Sequence, residues 1–377
     1  MPETRRICIV LPDLRLGGAQ RVLLALAGQF AGLGHQVTIV SLLGGGALAG
    51  DVPAGVSSAT LFDRQPRALF ALRSLLRLRS HFRQHRYDAV LSSMTGTNLV
   101  TVLAHRLAQS GARMVLREAA SLASVDGNVL RWWMRGLYPK ADAVIAVSKG
   151  VRGELAAVGI AGVRIHAVCN PVDSRRLRAS AVEQPLPQVL QGRPYIVSVG
   201  RLVDEKDYGT LIRAYACSSL RETHRLVIIG EGGQRGALSG LAKQLGLGDQ
   251  FMLLGEISNP YSVISHAALF VLSSKSEGYP NALLEALALG IAVVATDAPC
   301  GVAEILDGGR YGLLVPVGDS SFLARAMEDT IAGAFVAETW PERTNAEDVV
   351  ALQYLEVLLD TGEGPRTKCM AHAGWQG

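Results

Sequence analysis

The sequence lacks a G-x-G-x-x-G run, so the usual dinucleotide fingerprint is missing. It also lacks an Asp-rich cluster of the kind that holds Mg²⁺. Its five cysteines, Cys8, Cys169, Cys217, Cys300 and Cys369, are odd in number and scattered, with no metal or redox spacing among them. Reduced thiols in a cytoplasmic protein are the expectation. No apolar run approaches membrane-spanning length, and that of MPETRRICIVLPDL is too short for a signal peptide. The chain is therefore expected to be soluble or peripheral to a membrane. Aromatics make up only 6% and the net charge is a modest +4. No nucleic-acid motif accompanies that charge, so no nucleic-acid partner is expected.

Glycine is abundant instead, at 41 of 377 residues, and half the chain is hydrophobic. That suits an α/β protein with many tight strand–helix turns. Residues 6–12 form an apolar β-branched run, followed by Gly17-Gly18, a helical pattern to about residue 33 and a second apolar run in HQVTIVSLL. Strand, glycine turn, helix and strand make a βαβ unit, and continuous apolar strands imply a parallel sheet covered on both faces. Further buried strands are expected at 88–93, 113–118 and 142–148.

After residue 173 the texture turns polar, with three prolines, and a second alternation begins. Strands are expected at 195–200, 225–232, 251–256, 268–274 and 291–297, with helices near 207–218 and 234–246. The reading is α/β with two doubly wound Rossmann-like domains, 1–177 and 193–340, joined by a linker at 178–192. A helix at 341–360 follows, able to cross back to the first domain, and the tail 361–377 is expected to fray. Ligands of such folds bind at the carboxyl ends of the strands, here expected in a cleft between the domains.

The charged residues at those strand ends carry the chemistry. Arg201 and Lys206 place two cations on one loop, which suits a diphosphate. The helix starting near Asn281 adds amide donors and a positive dipole end, and Gly278 permits close backbone approach. Glu277 and Glu285 stand eight apart in SEGYPNALLEALALG. Glu285, a turn into the helix, suits the paired hydroxyls of a ribose, and Glu277 a sugar hydroxyl. Each feature alone has a plainer reading: Gly17-Gly18 as a simple turn, Arg201 and Lys206 as solvated charges, Glu231 as a loop residue, Glu277 as a local cap. Their convergence on one end of the sheets favours a ligand with two polyols and phosphates between them.

The segments VGRLVDEKDYGTLIRAYA, LVIIGEG, LFVLSSKSEGYPNALLEALALGIAVVATDAPCGVAEIL and YGLLVPVGD resemble retaining glycosyltransferases of the sucrose-synthase-like group, glycosyltransferase family 4, which have GT-B architecture. The resemblance runs from about residue 6 to 320 and is most specific in the second half. GGAQRVLLALA resembles the family's N-terminal glycine loop, and Glu277-x7-Glu285 its E-x7-E motif. The resemblance implies that Arg201 and Lys206 bind the donor diphosphate, Glu277 the transferred sugar and Glu285 the ribose. It further implies that Gly17 and Gly18 line the same cleft. UDP is the base it favours, ahead of GDP and ADP, with transfer of a hexose-type sugar in retained configuration and no metal or other cofactor.

Many relatives carry a histidine near RMVLREAASLA. Here Arg117 and Glu118 stand instead, a pattern closer to bacterial cell-surface polysaccharide transferases. Glu118 is the acceptor-side candidate, with a structural ion pair to Arg117 as the plainer reading. Between residues 64 and 87 seven arginines and no acid mix with leucine and phenylalanine, and RWWMRGLY at 131–138 sets two tryptophans between arginines. Such surfaces suit an anionic membrane, whose inner face would present a polyisoprenyl-diphosphate-linked sugar or other glycan as acceptor. The plainer reading packs those apolar side chains inward. A GT-B epimerase or phosphorylase, an NAD-dependent oxidoreductase and a non-catalytic binding protein are the competing functions.

Overall fold

A computed structural model of the protein describes residues 3–64, 69–122 and 128–360. The expected tail 361–377 and residues 65–68 of the basic segment lie outside the described residues. The chain divides into two compact units. One takes the residues up to Pro171 together with those from Arg343 onward, and the other runs from Val172 to Glu342.

The first unit is built on seven parallel strands: β1 (Arg6–Leu11), β2 (Gln36–Leu43), β3 (Val56–Phe62), β4 (Ala89–Ser93), β5 (Arg113–Glu118), β6 (Ala143–Ala146) and β7 (Arg164–Ala167), in the order β3-β2-β1-β4-β5-β6-β7. Ile7 through Leu11 are wholly buried, as a strand covered on both faces requires. The helix Glu347–Leu359 packs on this unit and buries Val350, Tyr354 and Leu358 there.

The second unit has six parallel strands: β8 (Tyr195–Val199), β9 (Arg225–Ile229), β10 (Phe251–Gly255), β11 (Leu269–Leu272), β12 (Val293–Thr296) and β13 (Leu313–Val315), in the order β10-β9-β8-β11-β12-β13. Two apolar clusters cover its faces. One gathers Leu177, Ile264, Leu283 and Ile305 and the other Leu211, Tyr215, Leu238 and Met327. Both units are thus doubly wound, Rossmann-like α/β domains.

The segment expected as a linker at 178–192 is helical over Ser174–Glu183. Asp173 initiates it, its Oδ1 accepting from the amides of Arg175 and Arg176, both at 3.0 Å. Leu177 and Ala181 bury one side in the second unit while the arginines stay outward, which gave the stretch its polar texture. The division between the units falls earlier, at Pro171–Val172.

Candidate functional site

In the second sheet the chain runs from β8 outward through β9 and β10. It then returns to β11 on the other side of β8 and continues to β12 and β13. The strand order reverses between β8 and β11, the position at which loops diverge and leave a crevice in open α/β sheets. These two strands pair only at Ile196–Leu269 and Val197–Phe270. Beyond that pairing, Ser198 Oγ donates to the Val271 carbonyl at 2.6 Å.

The loops leaving β8 and β11 carry the charged residues singled out in the sequence. Lys206 Nζ lies 2.5 Å from Glu277 Oε1, with the two side chains 18% and 11% exposed. The ion pair therefore spans the switch point. Ser274 Oγ donates to the same Glu277 oxygen at 2.6 Å. Backbone contacts join the loops beneath it: Ser273 Oγ donates to the Lys206 carbonyl and the Lys275 amide to the Glu205 carbonyl, both at 2.8 Å. Arg201 is exposed, and among the described residues its guanidinium makes no hydrogen bond or ion pair. One cation of the loop is held and the other is free.

Glycines set how closely the loops approach. Gly230 has φ +149°, and a Cβ there would sit 1.9 Å from the Gly200 carbonyl oxygen. Gly232, at φ +159°, would meet the Leu202 carbonyl oxygen at 2.4 Å. Between them the Leu202 amide donates to the Glu231 carbonyl at 2.8 Å. The loop after β9 thus lies directly on the one that carries Arg201. Glu231 itself pairs with Arg235 at 2.6 Å on the surface, leaving the switch point to Lys206 and Glu277.

After Glu277, the buried Gly278 and Pro280 lead into the helix Asn281–Ala288. Its N-cap residue, Pro280, supplies no side-chain cap, and the positive end of the helix dipole faces the loop that leads into it. Leu283, Leu284, Ala286, Leu287 and Ala288 face the core, which leaves Asn281 and Glu285, four apart, on the half-buried outer face. Tyr261 Oη donates to Glu285 Oε1 at 3.4 Å. Sequence reasoning missed Tyr261 as well as Ser274. Neither belonged to a recognised spacing.

Gly17 and Gly18 and Glu118 belong to the first unit, at its own strand ends. Gly17 is the extended N-cap of the helix Gly18–Gly32, again without a side-chain cap. Its backbone is one any residue adopts, so the pair is a helix entry and not a left-handed turn. Glu118 ends β5 and is buried, accepting from Tyr138 Oη at 2.6 Å and Thr95 Oγ1 at 2.9 Å. Burial pushes its carboxyl above the ordinary range, against the opposing pull of those two hydrogen bonds. Arg117 points to the other face of the strand, donating to Ser93 Oγ, Asn170 Oδ1 and Tyr354 Oη. Arg117 and Glu118 therefore do not pair with each other. The arginine fastens the helix Glu347–Leu359, while the glutamate ties two hydroxyls at the strand end.

The basic stretches lie on two helices of the first unit. Phe70–Gln84 buries Ser74, Leu78 and Phe82 and exposes Leu72, Leu76, Arg73 and Arg83. Asn128–Leu137 buries Met134 and Leu137, whereas Trp132 and Trp133 are 63% and 45% exposed and pack edge to face. The inward-packing reading of the tryptophans is set aside by that exposure. No helix among the described residues is long and apolar enough to cross a membrane.

Comparison with known proteins bears on the family and the fold. A family model described as glycosyltransferase family 4 matches residues 16–176, and one described as glycosyl transferases group 1 matches residues 185–344. The N-acetylgalactosamine-N,N'-diacetylbacillosaminyl-diphospho-undecaprenol 4-alpha-N-acetylgalactosaminyltransferase of Campylobacter jejuni is 35% identical over 193 residues, 51% of each chain. The lipopolysaccharide core biosynthesis glycosyltransferase LpsE of Rhizobium meliloti is 32% identical over 188 residues, 48% of this chain and 54% of that one. The chain spans about half the length of these curated relatives. Among solved structures, Anabaena HepE in complex with UDP and glucose superposes with a TM-score of 0.80 at 20% identity, over 94% of this chain and all of that one. The sucrose-phosphate synthase of Thermosynechococcus elongatus gives 0.72 at 18% identity, over 95% of this chain and 97% of the other. At those identities the likeness is one of fold. With each unit matched in turn and the architecture shared across nearly the whole chain, the protein belongs to the family 4 type of glycosyltransferases and has the GT-B fold.

Proposed function

We propose that the protein transfers a hexose-type sugar from a nucleotide-diphosphate sugar, with UDP as the nucleotide, to a glycan or lipid-linked glycan acceptor. Configuration is retained, no metal takes part, and the product belongs to a cell-surface polysaccharide. The observation that carries this reading is the Lys206–Glu277 pair across the switch point, with Arg201 free beside it. As the bond from the anomeric carbon to phosphate breaks, its electrons move onto the phosphate oxygen. Arg201, Lys206 and the helix end at Asn281 supply the compensating positive field. The acceptor oxygen then joins the anomeric carbon on the face the nucleotide leaves, and its proton passes to the departing diphosphate. Glu277 accepts from a hydroxyl of the sugar and Glu285 from the ribose. In the first unit, Gly17 and Gly18 at the entry of the helix Gly18–Gly32 are assigned to nucleotide binding, and Glu118, with the hydroxyls of Thr95 and Tyr138, to the acceptor.

The donor proposal draws support from HepE, whose crystal holds UDP and glucose. The lipid-linked acceptor draws on the Campylobacter relative, whose name specifies a diphospho-undecaprenol substrate. The deciding experiment follows nucleoside diphosphate release from UDP-sugars with and without a polyisoprenyl-diphosphate-linked acceptor, in EDTA. Release that requires acceptor and survives chelation is the expected result, with product anomeric configuration read by NMR. Turnover of donor alone would indicate an epimerase or hydrolase, and turnover lost in EDTA would remove the metal-free mechanism.

Glu285→Ala is expected to weaken UDP binding by tenfold to a hundredfold, since hydrogen bonds to a charged acceptor contribute about 1.5–3 kcal/mol each. Titration calorimetry checks this, and an unchanged affinity would end the ribose assignment.

Peripheral membrane contact is part of the same proposal, through Trp132 and Trp133 and the arginines around them. An indole buries on the order of 200 Å². Replacing both tryptophans with alanine is therefore expected to lower binding to phosphatidylglycerol vesicles by at least about tenfold. Cosedimentation measures it. Equal binding by the variant would move the contact elsewhere.

A further inference from the structure

Three buried hydroxyls lie beneath the ion pair at the switch point. Ser273, Ser274 and Thr296 are each exposed by 1% or less. Ser273 Oγ donates to the Lys206 carbonyl at 2.8 Å and so fixes the backbone of the cation. Thr296 Oγ1, at the end of β12, donates to the Ser274 carbonyl at 2.6 Å. Ser274 Oγ in turn donates to Glu277 Oε1 at 2.6 Å. The chain of contacts runs from a rigid strand to a loop serine and from there to the loop carboxylate.

Both donors to Glu277, Lys206 Nζ and Ser274 Oγ, converge on Oε1. Among the described residues Oε2 has no partner, and it is the oxygen left to accept from a ligand hydroxyl. A diphosphate that engages Lys206 competes directly with Glu277 for the ammonium group. Once Lys206 turns to phosphate, Ser274 is the one donor of this set still holding the carboxylate.

We infer that Ser274 is the positioning residue of Glu277: it keeps Oε2 directed at the transferred sugar after the donor has taken Lys206, and Thr296 holds Ser274 in place. This inference rests on the donor-site reading above. It makes Ser274 a residue that acts on the sugar through Glu277 while leaving nucleotide binding alone. Misplacement of a positioned group by a fraction of an ångström to an ångström costs rate and not nucleotide affinity.

The test compares Ser274→Ala, Glu277→Ala and the double variant in sugar transfer and in UDP binding. Ser274→Ala is expected to lower kcat about tenfold with UDP affinity unchanged, and to add nothing on the Glu277→Ala background. Thr296→Val, close in shape and lacking the hydroxyl, is expected to give the same split at about threefold and covers the case in which Ser274→Ala fails to fold. A parallel loss of UDP affinity would overturn the inference, as would a tenfold effect that persists without Glu277. Failure of the donor reading shows itself separately, as a wild-type protein that turns over no sugar nucleotide. The contact is then judged by thermal unfolding of the ligand-free protein. A Tm loss in the double variant smaller than the two single losses combined supports it, and additive losses reject it.

Discussion

Lys206→Ala is expected to lower kcat/KM for sugar transfer by about a hundredfold, close to 3 kcal/mol of transition-state stabilisation, the magnitude of losing one preorganised donor. Lys206 is anchored through its carbonyl by Ser273 and its ammonium already lies at the switch point on Glu277, so its backbone is fixed there before any substrate arrives. Arg201 is exposed and free, and it must be drawn onto the diphosphate at the cost of side-chain order. The preorganised cation should therefore contribute more than the free one, and Arg201→Ala should cost less than Lys206→Ala. Lys206→Arg should recover only part of the rate, because a planar fork does not replace a compact ammonium packed against one carboxylate oxygen. Removing the lysine also leaves Glu277, 11% exposed, held by Ser274 without its counter-charge. Steady-state kinetics with saturating acceptor check the prediction, and near wild-type kcat/KM in Lys206→Ala would contradict the role assigned to it.

Gly230→Ala is expected to destabilise the second unit by about 3 kcal/mol, through backbone strain at a positive φ combined with overpacking. The added methyl would lie 1.9 Å from the Gly200 carbonyl oxygen, and a backbone atom cannot swing aside as the end of a flexible side chain can. Relief requires the loop after β9 to lift from the loop after β8. That movement breaks the Leu202–Glu231 and Gln234–Leu202 backbone hydrogen bonds, of 2.8 and 3.0 Å. For a unit of this size the midpoint of thermal unfolding should fall by roughly 6–12 °C. Transfer should weaken as well, because the loop after β8, which loses that support, carries Arg201 and Lys206. Gly233→Ala is the matched control: a Cβ there meets nothing within 4 Å, and its φ is not in the left-handed region. Equal effects of the two substitutions in a thermal scan would refute the close-approach argument.

Much of the architecture could be read from apolar runs, and the exceptions have physical causes. β1, β5, β8 and β9 are buried nearly throughout, so their continuous hydrophobic texture announced them. β3, at the sheet edge, reads VSSATLF with its first five positions at least partly exposed, and a run so polar carried no strand signal. The helix Ser174–Glu183 was hidden because only Ser174, Leu177 and Ala181 are buried, and the remaining positions include three arginines, a serine and a glutamate. In the site, the eight-residue spacing of Glu277 and Glu285 was legible, since it reflects one loop and one turn of helix. The pairing of Glu277 with Lys206 was not, because 71 residues separate them and only the strand order brings them together. Ser274 and Thr296 were invisible for a related reason: a hydroxyl acquires its role from the partner it meets, and neither residue belongs to a spacing that names one. Glu118 was found as a charged residue at a strand end, but its burial against Tyr138 and Thr95 depends on neighbours 20 and 23 residues away.

The proposed transfer depends on a nucleoside diphosphate held at the switch point by Lys206 and Arg201. Thermal unfolding of the protein and of Lys206→Ala, each with UDP, GDP, ADP or NAD⁺, tests it most directly. A ligand present at about a hundred times its dissociation constant adds roughly 2.7 kcal/mol of stability. UDP is expected to raise the unfolding midpoint of the wild-type protein and to lose most of that effect in Lys206→Ala. A shift with NAD⁺ alone, or a UDP shift undiminished in the variant, would contradict it.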